Sequence, residues 1–144
     1  MGHQHLLLII LSVIITSMSI AVALSQFYVG ASEANRDAVI MELVNHAAKA
    51  QRYFYTPNQL GGGSRNFNGF SLYSAEVSNL NGNYQVSATA PSGTTPVTPG
   101  GSISVNATTI YIIGSGKEKG NDGSNPVKAY ATVTANTIVT AILN

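Results

Sequence analysis

The 144-residue chain contains no cysteine, and that absence removes disulfides, thiolate nucleophiles and cysteine metal sites together. An extracellular protein built without disulfides must draw its stability from elsewhere, and self-association is one source. Charge is also scarce: Asp, Glu, Lys and Arg supply 9% of the residues, about a third of the usual share. The net charge is +1, so there is no electrostatic footprint for nucleic acid. Proline is absent until Pro57. Nothing between Leu6 and Tyr55 therefore stops a helix, and Gly30 is the one weak point, at about 1 kcal/mol relative to Ala.

What is present is first a greasy run. Residues 6–24 read LLLIILSVIITSMSIAVAL, without a charge. At 1.5 Å per residue this run covers about 28 Å, close to the hydrocarbon thickness of a bilayer. A cleaved signal peptide would need a basic n-region and a shorter apolar stretch. Met1 to His5 holds neither Lys nor Arg, and helix-formers continue past the run. Ser12, Thr16, Ser17 and Ser19 can bond back to carbonyls one turn earlier, so lipid tolerates them. The small residues among them also permit close helix–helix packing.

The second half of the predicted helix is amphipathic. Ile40, Leu43, Val44, Ala47, Ala50 and Phe54 recur at spacings of three and four, an apolar stripe for packing on a sheet. Glu42, Asn45, Lys49 and Arg52 line another face. The chain thus divides into a hydrophobic helix over 1–30 suited to a membrane or to packing against copies of itself, its amphipathic continuation over 31–56, and a small β domain, expected to be surface-exposed, over 57–144.

Thr56-Pro57-Asn58 ends the helix, and Gly61-Gly62-Gly63-Ser64 reads as a flexible connector. The hydrophobic period then changes to two. Strands are expected near 70–77, 83–89, 108–114, 127–134 and 136–143, with Asn81-Gly82 as a hairpin signal and a turn at Ala135-Asn136. Residues 91–101 and 114–126 read as exposed loops. The expected fold class is α+β: a long N-terminal helix packed on an antiparallel sheet of four or five strands.

Chemistry is thinly represented. His3, His5 and His46 are the only histidines, and they lack the spacing of a metal site. GSGKEKG at 114–120 lacks the spacing and context of a phosphate cradle, and no GxSxG elbow occurs. The sequence predicts no enzyme, no cofactor and no catalytic residue. Asn106-Ala107-Thr108 is the one N-x-[ST] triplet, which makes Asn106 a candidate glycosylation site.

A hydrophobic helix that continues into an amphipathic half and then a small sheet resembles a type IV pilin or pilin-like subunit. The resemblance covers the whole chain in architecture. It implies a subunit held in the cytoplasmic membrane, cut after a glycine by a prepilin peptidase, and polymerised by a pilus assembly machinery into a cell-surface filament whose core is the helices. Gly2 stands in the matching glycine place, with His3 as the first mature residue. The core would be built from Leu6, Leu7, Leu8, Ile9, Ile10, Leu11, Val13, Ile14, Ile15, Ile20, Val22 and Leu24. Only Met1 precedes Gly2, in place of the usual basic leader, and Leu7 stands where bacterial pilins commonly carry glutamate. The polar GHQH start and the proline-free helix resemble archaeal-like pilins with continuous helices. The partner on this reading is the chain itself. The alternatives are a monomeric single-pass protein displaying a β domain, and a pseudopilin of a secretion system.

Overall fold

In the computed structural model, which describes residues 2–144, helix α1 runs without interruption from Gly2 to Tyr55. Its 54 residues span about 81 Å. Helical conformation continues through Gly30, around which a side chain would meet open space. By length and composition α1 is able to cross a membrane.

The helix stops where its sequence lacks donors. The Thr56 N–H bonds to the carbonyls of Arg52 and Tyr53, its hydroxyl also donates to Arg52, and Pro57 offers no N–H to continue. After a single 3-10 turn at Asn58–Leu60 the chain folds back, with the N–H groups of Gly63, Ser64 and Arg65 bonding to carbonyls of the last helical turn and Thr56. A Cβ on Gly62 or Gly63 would overlap a carbonyl oxygen of Thr56 or Asn66. The stretch expected as a flexible connector is therefore a packed turn, and its glycines answer to close approach.

Four strands follow: β1 Gly82–Ser87, β2 Thr109–Lys119, β3 Pro126–Thr134 and β4 Ile138–Ile142. They form one sheet in the order β1-β2-β3-β4, every pair antiparallel. The fold is α+β, one long helix on a four-stranded antiparallel sheet. Alternation places Tyr84 and Val86, Ile110 and Ile112, and Ala129, Ala131 and Val133 in one core with Val39, Leu43, Ala47, Ala50 and Phe54 of α1.

Three expectations need correction. Residues 70–77 are not a strand; Ser71 makes one bridge to Ser102, and a turn closes at 73–77. Glu76 sets that turn, accepting from the Tyr73 N–H and pairing with Lys49. The 114–126 segment is not all exposed loop, because β2 continues to Lys119 with Gly114, Ser115 and Gly116 buried. A Cβ on Gly114 would press on Val39 and Tyr84, and one on Gly116 on Asn35, so these glycines let the helix lie close to the sheet. Val44, assigned to the packing stripe, is 43% exposed, and Ile40 is only partly buried. The helix is rotated so that Val39 and His46 take the buried places instead.

The two edges of the sheet are finished differently. Along β1, Tyr84 donates to Val77, Val86 to Gly100, and Gly100 back to Tyr84, so a loop covers that edge. Strand β4 pairs with β3 alone.

Candidate functional site

The first charged residue of the chain is Glu33. Every residue from Gly2 to Ala31 is exposed, from Ile14 at 46% to Phe27 at 75% among the large apolar side chains. The six consecutive residues Leu6 to Leu11 turn through more than a full helical circuit, so the surface is apolar all round rather than on one stripe. A helix of that kind is one meant to be surrounded by apolar material. Its hydroxyls make no demand on a neighbour: Ser12, Thr16, Ser17, Ser19 and Ser25 donate to carbonyls three or four residues back at 2.8–3.0 Å. All twelve core residues proposed from sequence lie on this surface, and Gly2 and His3 lie exposed in its first turn. Met1 lies outside the described residues.

Above Ala31 the same helix is strapped down. The Ser32 hydroxyl donates to the Lys119 carbonyl at 2.7 Å. Asn35 Oδ1 accepts the N–H groups of Lys117 and Glu118, and its amide donates to Asn81 O. Arg36 reaches Asn121 Oδ1. Glu42 accepts from the amides of Asn79 and Asn81 at 3.0 and 3.2 Å, Lys49 pairs with Glu76, and Gln51 donates to Thr134 O. Glu42 and Lys49 read from sequence as part of a polar face. They are the ties that hold the loops to the helix. Sequence reasoning missed them because each partner lies 27 to 39 residues away, with no local pattern to mark it.

His46 is 2% exposed and packs edge-on against Tyr84, with ring centroids 5.0 Å apart. Neither ring nitrogen nor the Tyr84 hydroxyl has a hydrogen-bond partner in the protein, and Glu42 Oε2 is 3.7 Å from Nε2. Burial pushes the imidazole below its ordinary pKa, opposed by Glu42 and aided by Lys49. The same burial pushes the Tyr84 phenol up, and Glu42 adds to it. On the outer face of the sheet Lys128 is 4% exposed and donates to Gly93 O at 3.0 Å, with its pKa lowered by burial. This tie pins the 91–101 segment, whose Val97 is buried, so that segment is only partly the free loop expected.

A groove of about 830 Å³ lies between α1 and the β2–β3 turn, lined by Tyr28, Ser32, Glu33, Arg36, Lys117 and Lys119 among others. Opposite charges face each other across it, which leaves no field of one sign to select a ligand. Among the described residues no group of three or more His, Asp or Glu side chains stands close enough to hold a metal ion. Asn106 is exposed, its side-chain oxygen 3.3 Å from the Asn68 amide. The arrangement as a whole offers a large apolar contact surface joined rigidly to a folded head. The chain matches no family model, no curated protein and no solved structure.

Proposed function

We propose that this protein is the structural subunit of an extracellular helical filament of the type IV pilus kind, polymerising through the 2–30 half of α1. One observation carries the reading: an uncharged helix half, apolar on all sides, is continuous with a half tied to its own sheet. Before assembly the apolar half lies in the cytoplasmic membrane. On assembly it exchanges lipid for neighbouring helices. That exchange gains little from hydrophobicity, since lipid tails are as apolar as leucine, so packing complementarity decides it. The back-bonded hydroxyls favour both states, because neither lipid nor a neighbouring helix has to satisfy them. The rigid join then fixes where each head domain sits on the filament surface.

Electron microscopy of the full chain, expressed with an assembly machinery of the pilus type, tests the proposal. Filaments from the wild type and none from Ile14→Asp, with the subunit still in the membrane, are the expected result. Wild-type protein that stays monomeric in the membrane, or normal filaments from Ile14→Asp, would overturn it.

A further inference from the structure

The head domain carries an apolar projection on one side of α1 and an open apolar corner on the other. At about 100° per residue, Glu42, Lys49 and Tyr53 fall on one side of the helix, while Ile40, Val44, Gln51 and Tyr55 fall on the opposite side. The hydrogen bonds agree with this division. Glu42 holds Asn79 and Asn81, ahead of β1, whereas Gln51 and Tyr55 hold Thr134 and Asn136, beside β4.

On the first side the turn at 79–82 is rigid. Asn79 Oδ1 accepts the N–H groups of Asn81 and Gly82 at 2.9 and 3.1 Å, and Asn81 O accepts from Asn35. This braced turn carries Leu80, 95% exposed, the most exposed large apolar side chain among the described residues. A leucine held outward on a fixed turn cannot fold back onto its own domain.

On the other side β4 is an open edge without Pro, charge or bulge, the devices that normally guard such edges. Its partners Ala129, Ala131 and Val133 face the helix, so Ile142, Thr140 and Ile138 do as well. Ile142 stays 50% exposed there, and Val44, on the same side of α1 as Gln51, is exposed too. The two features lie at one height. The Leu80 turn is tied to Asn35 and Glu42. Ile142 pairs with Ala129, about 10 Å of strand beyond the level of Lys119 and Ser32, which equals about seven helical residues and reaches Val39.

We infer that the Leu80 turn of one copy seats in the corner between α1 and β4 of the next. Projection and corner lie on different faces, so the contact is heterologous and propagates without closing a dimer, as an open helical assembly requires. The inference rests on the filament reading and names the contact between neighbouring heads.

The cysteine-free chain allows a direct test. Filaments of the Leu80→Cys, Ile142→Cys double variant, oxidised after assembly, should give a ladder of covalent oligomers longer than dimers. Leu80→Cys with Leu60→Cys, and each single variant, should give none. In parallel, Leu80→Asp should cut filament yield about ten-fold or more while the head's melting temperature stays unchanged. Filaments of the first double variant without a ladder, an equal ladder in the Leu60 control, or full yield from Leu80→Asp would overturn this contact and leave the filament reading standing. Wild-type protein that forms no filaments would overturn both.

Discussion

The two halves of α1 share one backbone and meet opposite surroundings. Below Ser32 every described residue is uncharged and exposed. Above it, polar side chains at 32, 35, 36, 42, 49 and 51 tie the helix to the end of β2, the β2–β3 turn, the 79–82 turn, the 73–77 turn and the end of β3. The apolar residues divide in the same way. Leu43 is fully buried, while Ile14, of similar size and on the same helix, is 46% exposed. Residue type therefore does not decide burial along this helix. What decides it is whether the sheet lies against the helix, and over the upper half small residues let it come close: Gly114 and Gly116 lie under Val39 and Asn35, and Ala129 and Ala131 share the core with Ala47 and Ala50.

The same charge placed in each half separates the two roles most sharply. Leu43→Asp should unfold the head at a cost of about 3–5 kcal/mol, because an unpaired carboxylate would be buried. Ile14→Asp should leave the head's stability within about 0.5 kcal/mol while removing filaments. Thermal melts of the full chain in detergent, followed by strand circular dichroism, would read both. Equal effects from the two variants would mean that the halves are not distinct.

A smaller contrast comes from glycine. Gly114→Ala should destabilise by about 1–3 kcal/mol, since the new Cβ would lie 2.8 Å from a Val39 methyl and 3.0 Å from the Tyr84 ring. Gly30→Ala meets nothing and should raise helix stability by about 1 kcal/mol. Denaturant melts reporting the head and helix circular dichroism reporting the rod would check the pair. A neutral Gly114→Ala would show that the helix does not need its close approach to β2.

The smallest expected effect is a pH dependence confined to the head. His46 binds its proton less readily when folded than at its ordinary value of 6.5. The unfolded chain therefore takes up protons first as pH falls. The contribution of His46 is complete above about 6.5 and is lost as pH drops through the folded value. Asp122 is held low by the Asn125 side chain and then by the Ser124 and Asn125 N–H groups, and its contribution is lost only below its ordinary 3.8. Melting temperature should thus decline as pH falls below about 6.5, and His46→Gln should flatten that decline. A wild-type curve flat over the same range would contradict the burial assigned to His46.

Much of this architecture is legible in the sequence, for identifiable reasons. Helix length follows from the absence of proline before Pro57, and the paired parts of β1, β2 and β3 follow from period-two runs at 83–89, 108–114 and 127–134. The errors cluster where one residue type serves two purposes. Glycine at 114 and 116 reads as loop because loops and close contacts both need a missing side chain, and only the position of Val39 and Asn35 distinguishes them. Phe70 and Leu72 are buried with strand-like alternation, yet Ser71 has a single bridging partner, and sequence period reports burial rather than pairing. Val44 falls on the predicted stripe because three-and-four spacing fixes a face only to within about one residue's rotation. The long, uncharged, apolar half was plain from the start; Leu80 was not, since an isolated leucine in a turn carries no pattern.

The ties along the upper half of α1 also decide how the molecule bears load. Ser32, Asn35, Glu42, Lys49 and Gln51 are spread along the helix axis, and each grips the head at a different height. A pull on the apolar half, directed along the rod, reaches these grips together as shear instead of peeling them one after another. The buried Val39, Leu43, Ala47 and Phe54 must slide along the sheet before the rod can leave it. A strand of such subunits would hold tension as a rivet row does, by sharing it.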